Sequence, residues 1–210
     1  MKLAGALVPL LAPLAAAQTW TVTPLVEVGD DVPGVGAVTS IRQLAIADTA
    51  TWRVEVDTDA TSSMDLVVVG PGGAVLQEGQ ALSGPAGATL RQFNGLAVDS
   101  TGATATILSL DGTASTLDDT GVYKGSTLLV QEGDATTAPG YTPGSTYGTL
   151  YQVQAASNGD VVVLANVDDV AIPGSPDLVL MRLRTDASGA LVDETALWRE
   201  QDALPGTGGV

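Results

Sequence analysis

The feature that most constrains the fold is a short string that recurs at the end of three β-rich runs. It reads LVEVGD at 25–30, VLQEGQ at 75–80 and LVQEGD at 129–134. A Gly/Pro-rich turn follows each copy, and a strand-like segment ending in small residues follows each turn. Because the same order returns each time, the sequence predicts one small β unit that is repeated along the chain.

The segments downstream of the string align with one another as well. Each unit contains a strand-like segment, an alternating segment that ends at an Asp, and a further strand before the next string. Apolar residues at every second position are typical of a half-buried strand. The aligned strand-like segments are 44–50, 96–102 and 153–159, and the alternating segments are 51–59, 103–111 and 160–168.

About four short strands in about 50 residues is the spacing of a propeller blade and not of a helical repeat. The sequence therefore predicts an all-β, β-propeller-like domain over 18–210. Its predicted units are 24–74, 75–127 and 128–196, with the start of another unit at 197–210. About three blades are fewer than a closed propeller usually has. Either the last unit closes with the N-terminal strand, or the chain is part of a longer array; a partial or truncated propeller is the favoured interpretation.

The first 17 residues have the pattern of a secretory signal peptide. Lys2 precedes an apolar run from Leu3 to Leu14, and the small residues Ala15–Ala17 follow it. The run is too short, and too interrupted by proline, to cross a bilayer as a helix. The sequence predicts export, cleavage after Ala17 and no membrane span in the mature chain.

Composition excludes several kinds of chemistry. The chain has no His and no Cys, which removes His-based catalytic triads, His-ligated zinc, thiol catalysis and disulfides. Its 24 Asp and Glu against 8 Lys and Arg give a formal charge of −16. Such a field repels phosphate backbones and anionic lipid, so nucleic acid is not an expected partner.

Carboxylates could hold a hard cation such as calcium. The stretch DTDATSSMD at 57–65 begins like a calcium loop, but it lacks the glycine and the distal Glu of an EF-hand. Each alternating segment ends at an Asp, which occupies the same position in all three aligned units. The weak metal candidates are therefore Asp57, Asp59, Asp111 and Asp168. No other cofactor is predicted, and the Asp that closes the recurring string has a structural interpretation as a turn cap.

Three tyrosines fall within the segment 141–151, at positions 141, 147 and 151. Aromatic side chains on a loop can stack on sugars or anchor a protein partner, and they can equally pack over a sheet edge. Tyr141, Tyr147 and Tyr151 are therefore weak candidates for a binding surface.

The repeated EGD and PG elements, the small-residue segment and GVYKG at 121–125 resemble secreted bacterial proteins with NxxGxxAF-type tandem repeats. The N-x-x-G frame here reads Ala47-x-x-Ala50, Asp99-x-x-Gly102 and Ala156-x-x-Gly159, so its Asn is absent from all three copies. The resemblance implies a secreted repeat protein, and it supplies no catalytic residues.

These observations predict a secreted, non-catalytic binding or structural repeat module at the cell surface or outside the cell. Its expected partners are an extracellular polysaccharide or a surface protein. The alternative is an extracellular carboxylate-dependent hydrolase or lyase that acts on polysaccharide, since carboxylates are the acids and bases that remain. A catalytic pair should face one another across a pocket, about 5–10 Å apart.

Overall fold

The computed structural model describes residues 23–47, 51–115, 118–172, 177–200 and 202. The predicted signal peptide, Ala50 and the last eight residues of the predicted fourth unit lie outside these ranges. No described residue lies in a helix, and thirteen strands form three antiparallel sheets within the described ranges. The predicted all-β class is thereby confirmed.

Each sheet is built from strands in chain order, so hairpins make every connection within it. The first sheet contains β1 (Asp31–Val32), β2 (Gly36–Ile46), β3 (Trp52–Thr58), β4 (Leu66–Gly70) and β5 (Gly73–Gln77). The second contains β6 (Thr89–Val98), β7 (Thr104–Asp111), β8 (Thr120–Lys124) and β9 (Thr127–Gln131). The third contains β10 (Thr146–Ala155), β11 (Val161–Asp168), β12 (Asp177–Thr185) and β13 (Leu191–Arg199).

The recurring string ends a sheet and turns into the next one. Residues 75–77 belong to β5, residues 129–131 belong to β9, and 25–28 form no strand. After each string one glycine adopts a positive φ, at Gly29, Gly79 and Gly133. Their backbone N–H groups donate to carbonyl oxygens of the following first strand, at Val38, Leu90 and Tyr147 respectively. The string recurs because the same exit turn is needed after every sheet.

The last residue of the string caps this turn. The Asp134 carboxylate accepts a hydrogen bond from the Gln131 N–H, with an oxygen-to-nitrogen distance of 2.9 Å. Asp30 and Asp202 make the same bond to Glu27 and Arg199. In the second copy the Gln80 amide oxygen takes this role and accepts from the Gln77 N–H at 3.2 Å. A neutral amide therefore satisfies the turn, and the acid is present as a hydrogen-bond acceptor.

Replacing Asp134 by alanine should lower the free energy of unfolding by about 1 kcal/mol, because one side-chain acceptor of a turn N–H is lost. Asp134→Asn is the matched control and should be close to neutral, since Gln80 performs the same task with an amide. Urea unfolding of both variants measures the difference. Equal destabilisation by Asn and Ala would contradict the capping role.

We call β2, β6 and β10 the first strands and β3, β7 and β11 the second strands of the repeated units, since the described parts of the other sheets have no strand equivalent to short β1. The faces of each sheet are named by the residues of its second strand: the leading face carries Val56, Leu108 or Ala165, and the trailing face carries Glu55, Ile107 or Leu164, in the first, second and third sheets. The register supports this equivalence, because the facing residues of the first and second strands are Ile41 with Val56, Phe93 with Leu108, and Leu150 with Ala165.

The core lies between the sheets. Phe93 and Leu108 of the second sheet pack in one cluster with Leu66 and Val68 of the first. The third sheet meets the second in the same way. Leu150 and Val153 share a cluster with Ile107, Val122 and Val130. In both interfaces the leading face of the later sheet covers the trailing face of the earlier one.

A cationic side chain crosses each of these two interfaces. Arg53 of β3 donates to the carbonyl oxygen of Gly102 and to the Thr104 hydroxyl, at 3.0 Å for the latter. Lys124 of β8 donates to the carbonyl oxygen of Gly159 at 2.6 Å and to the Thr185 hydroxyl at 3.0 Å. Gly102 and Gly159 occupy equivalent turn positions, so an equivalent hydrogen bond from a cationic side chain to a turn carbonyl links each successive pair of sheets.

Candidate functional site

The hairpins between the first and second strands meet at one end of the molecule. In each, the residue at the first N-x-x-G position donates its backbone N–H to a carbonyl four residues later. The pairs are Ala47 with Thr51 at 2.8 Å, Asp99 with Ala103 at 3.0 Å, and Ala156 with Asp160 at 2.9 Å. Gly102 and Gly159 close two of these turns with φ values of +88° and +85°, which glycine adopts without strain.

Between these hairpins lies a cleft of about 420 Å³, which we call the hairpin cleft. It is lined by equivalent stretches of the three sheets at the ends of their first strands, namely 44–47 for β2, 96–100 for β6, and 154, 155 and 157 for β10. A volume in this range suits a side chain or small ligand. The three aligned segments therefore build one site together, although they are about 50 residues apart in the chain.

The lining of the hairpin cleft is mixed, since backbone and side-chain polar groups make up most of the surface that faces it. Its apolar part is an edge where Leu44 and Ile46 are exposed, and Leu96 is partly exposed across from them. The described lining residues include no aromatic ring and no Lys or Arg side chain. The exposed Leu44 and Ile46 side chains fit an apolar partner surface, whereas these lining residues offer no cation for an anionic ligand and no ring to stack on a sugar.

Among the described residues that line the hairpin cleft, Asp99 carries a carboxylate, and this carboxylate is committed to its own turn. Asp99 is buried, and its Oδ1 accepts hydrogen bonds from the Thr101 N–H, the Thr101 hydroxyl and the Ala103 N–H, at 2.6–2.9 Å. Burial opposes the charge, but these hydrogen bonds and nearby Lys124 outweigh it and lower the pKa of Asp99. Asp99 stays ionised as a structural acceptor and is poorly suited to act as a general acid.

Asp57 and Asp59, two of the four metal candidates, lie at the end of β3. Asp57 forms a 2.8 Å ion pair with Arg42 and accepts a hydrogen bond from the Ser40 hydroxyl. Asp59 accepts a hydrogen bond from the Ala37 N–H at 2.7 Å. Each carboxylate thus has a protein partner within its own sheet.

The other two metal candidates end the second strands of the other sheets. Asp111 ends β7, 3.8 Å from the Arg91 guanidinium, and Asp168 ends β11. Across the described ranges no three His, Cys, Asp or Glu side chains come together as a group that could hold a metal ion. The four Asp residues are therefore divided among three sheets, and calcium binding stays a prediction.

The three tyrosines do not share one surface. Tyr147 is 1% exposed and packs in the core between the second and third sheets. Tyr141 packs against the same core, with the Arg199 guanidinium 4.1 Å from the centre of its ring, and burial raises its pKa to about 12. Tyr151 alone of the three is exposed, and its hydroxyl accepts a hydrogen bond from the Asn166 amide at 2.9 Å. A binding role for these residues stays a prediction.

The most strongly perturbed carboxyl group is one that the sequence analysis did not single out. Glu55 is 1% exposed on the trailing face of the first sheet, where the other sheets carry Ile107 and Leu164. Within the described chain its Oε2 has no hydrogen-bond partner. Burial raises its pKa to about 7, while Arg42 opposes the shift and Asp57 adds to it. The alignment could have found it, since a Glu among Ile and Leu breaks the apolar pattern.

Glu55 and Asp57 lie two residues apart on the same face of β3, and their environments move their pKa values in opposite directions. Burial works against ionisation of Asp57, but its hydrogen bonds with Arg42 and Ser40 lower its pKa. Such a divergence is typical of acid and base pairs. Glu55, however, is closed off from solvent, so a substrate has no access to its carboxyl group in this structure.

No known protein-family model matches the chain, and no curated protein matches its sequence. No described helix has the length and apolarity that crossing a bilayer requires.

Proposed function

We propose that the protein is a secreted, non-catalytic binding or structural module, and that its partner contacts the hairpin cleft. The observation that carries this proposal is the cleft itself, where equivalent ends of three first strands surround one opening and Leu44 and Ile46 of β2 are exposed at its edge. Large apolar side chains in solvent are favourable sites for association, because covering them releases water. Of the two partner classes predicted from the sequence, a surface protein fits this lining better than a polysaccharide.

We further propose that the three sheets are blades of a propeller-like array. First strands from neighbouring sheets contact one another, β2 with β6 and β6 with β10, as they would around a common axis. Each later sheet covers the trailing face of the one before it through the same positions. Repetition of one docking geometry generates a rotation about an axis, which is how blades are arranged.

Side-by-side screening on a peptide-display library and a glycan array tests the partner class. We expect wild-type protein to select peptides rich in aliphatic residues and to show no binding on the glycan array. Ile46→Asp, which places a charge at the edge of the cleft, should lose this selection, while Met64→Asp in the loop between β3 and β4 should keep it. Both variants change an exposed apolar residue, so a difference between them reports on the cleft. Glycan binding that Ile46→Asp leaves intact would contradict the proposal.

The alternative, a carboxylate-dependent polysaccharide hydrolase or lyase, rests on the Glu55 and Asp57 pair. We expect no turnover of glycan, ester or peptide substrates, because the Glu55 carboxyl group is enclosed between two sheets. Product analysis after prolonged incubation measures this. Steady polysaccharide cleavage that Glu55→Gln abolishes, with the unfolding transition preserved, would instead establish the alternative.

A further inference from the structure

Each outer side of the three-sheet stack exposes apolar residues whose equivalents inside the stack are buried. On the leading side, Phe93 and Leu150 are 3% and 6% exposed, because each packs on the preceding sheet. Ile41 holds the same position in the first sheet and is 47% exposed. Leu44, the equivalent of buried Val153, is exposed as well. The first sheet therefore presents an apolar ridge along β2 at positions that the other two sheets use for docking. The β3 and β4 part of the same face is buried in a cluster with residues of the preceding segment, namely Val54, Val56, Val67 and Val69 with Val26, Val32 and Val35.

The trailing side has the complementary surface. In the second sheet Ile107 and Val122 are fully buried beneath the third sheet. The register pairs Ile107 with Val122 and Leu164 with Leu180, so the latter two are their equivalents in the third sheet. Leu164 and Leu180 are only partly buried. The receiving surface is thus apolar, and it matches the one already in use inside the chain.

The second and third sheets carry a cationic side chain at the same position of the repeat. Lys124 is paired with Ala105 in the second sheet, and Arg182 is paired with Val162 at the same position in the third. Lys124 crosses to the hairpin of the next sheet. Arg182 is partly exposed, but it donates to the Thr195 hydroxyl at 3.1 Å and lies 4.0 Å from the carboxylates of Asp160 and Asp193. The third sheet therefore carries the apolar surface, and its cation at this position is paired within its own sheet.

We propose that a second copy of this chain docks head to tail, with its leading face on the trailing face of the third sheet. The exposed or partly buried apolar residues of both surfaces, Ile41 and Leu44 on one and Leu164 and Leu180 on the other, hold positions that meet twice within the chain, so they can pack on one another in the same way. A heterologous contact of this kind closes into a ring when the rotation per unit allows it. If the sheets are propeller blades, as proposed above, two chains of three sheets give a ring of six, within the usual range of about four to eight.

Charge opposes this association at low ionic strength. Each chain carries a formal charge of −16, so two copies repel one another. Salt screens this repulsion while leaving apolar burial in place. The head-to-tail pair should therefore strengthen as salt increases, in contrast to an assembly held by surface ion pairs.

Sedimentation velocity tests this on the mature chain at about 100 µM, in low salt and at about 1 M salt, where the screening length falls to about 3 Å. We expect a dimer whose population rises with salt. Ile41→Asp on the leading face and Leu164→Asp on the trailing face should each reduce dimer affinity by at least about tenfold. Met64→Asp is the control, since it is comparably exposed outside both surfaces. Urea unfolding verifies that all three variants fold.

Mixing the two interface variants gives the sharpest result. A mixed pair keeps one wild-type interface, formed by the trailing face of Ile41→Asp and the leading face of Leu164→Asp. Recovery of a dimer on mixing therefore supports head-to-tail docking. A monomer at high salt, open-ended larger assemblies, or a dimer weakened by only one of the two substitutions would overturn it. The last result indicates a symmetric contact through a single face.

Discussion

Replacing Phe93 by alanine is expected to lower the free energy of unfolding by about 3–4 kcal/mol, whereas Ile41→Ala at the equivalent position should cost less than about 1 kcal/mol. Phe93 is buried against the first sheet beside Leu66 and Val68, so its removal leaves a cavity between two sheets. Among the described residues no sheet precedes the one that carries Ile41, and Ile41 is 47% exposed, so its truncation loses little burial. Leu150→Ala, at the same position in the third sheet, should behave like Phe93→Ala and cost about 2–4 kcal/mol.

Urea unfolding at low protein concentration measures these three variants, because dilution keeps copies of the chain apart. The three substituted residues occupy the same position of the repeat. They differ in whether a preceding sheet packs on the side chain. Equal losses at Ile41 and Phe93 would show that the leading faces of the first and second sheets have the same surroundings, against the stacking described above.

Glu55→Gln is expected to raise the free energy of unfolding by about 3 kcal/mol at pH 8 and to change it little at pH 4. Burial raises the Glu55 pKa from an ordinary 4.5 to about 7 in the folded protein. Between these values the folded state retains a proton that the unfolded state has released. Stability therefore falls as pH rises from about 4.5 to 7, by about 1.4 kcal/mol per unit. Glutamine has no proton to release and removes this loss.

Paired urea titrations of wild type and Glu55→Gln across pH 4–8 isolate the Glu55 contribution, because every other titrating group is common to both. Glu27→Gln is the control, since Glu27 is exposed. Its free energy of unfolding should stay close to that of wild type at each pH. A pH-independent difference between wild type and Glu55→Gln would contradict a buried, protonated Glu55.

Much of the fold could be predicted from the sequence because the repeat constrains it several times over. The alternating segments became β3, β7 and β11, and the recurring string became the end of a sheet and its exit turn. The string at 25–30 was the exception, since its first residues form no strand. A strand needs a partner, and the alignment alone does not reveal whether a neighbouring strand is available.

The candidate site was harder to predict. The aligned segments at 44–50, 96–102 and 153–159 were recognised as equivalent, but only the stacking of the sheets brings their ends around one cleft. The Asp at the end of each alternating segment suggested a metal site, and the structure places these residues in three separate sheets. Arg53 and Lys124 lie in strands that are not equivalent in the repeat. Their shared hydrogen bond to the turn of the next sheet therefore cannot be recognised from the alignment and becomes evident only in the folded structure.

A disulfide between residues 95 and 153 tests the central claim most directly, namely that the first strand of the third sheet packs across the second sheet. A Cβ added at Gly95 lies 3.2 Å from Cγ1 of Val153, a separation that two cysteines can bridge. The chain contains no Cys, so the Gly95→Cys, Val153→Cys double variant has no competing thiols. Under mild oxidation, mass spectrometry of the monomer should show loss of two hydrogens and a linked peptide pair containing positions 95 and 153. Two free thiols in a folded, oxidised monomer would contradict the sheet stacking on which this account rests.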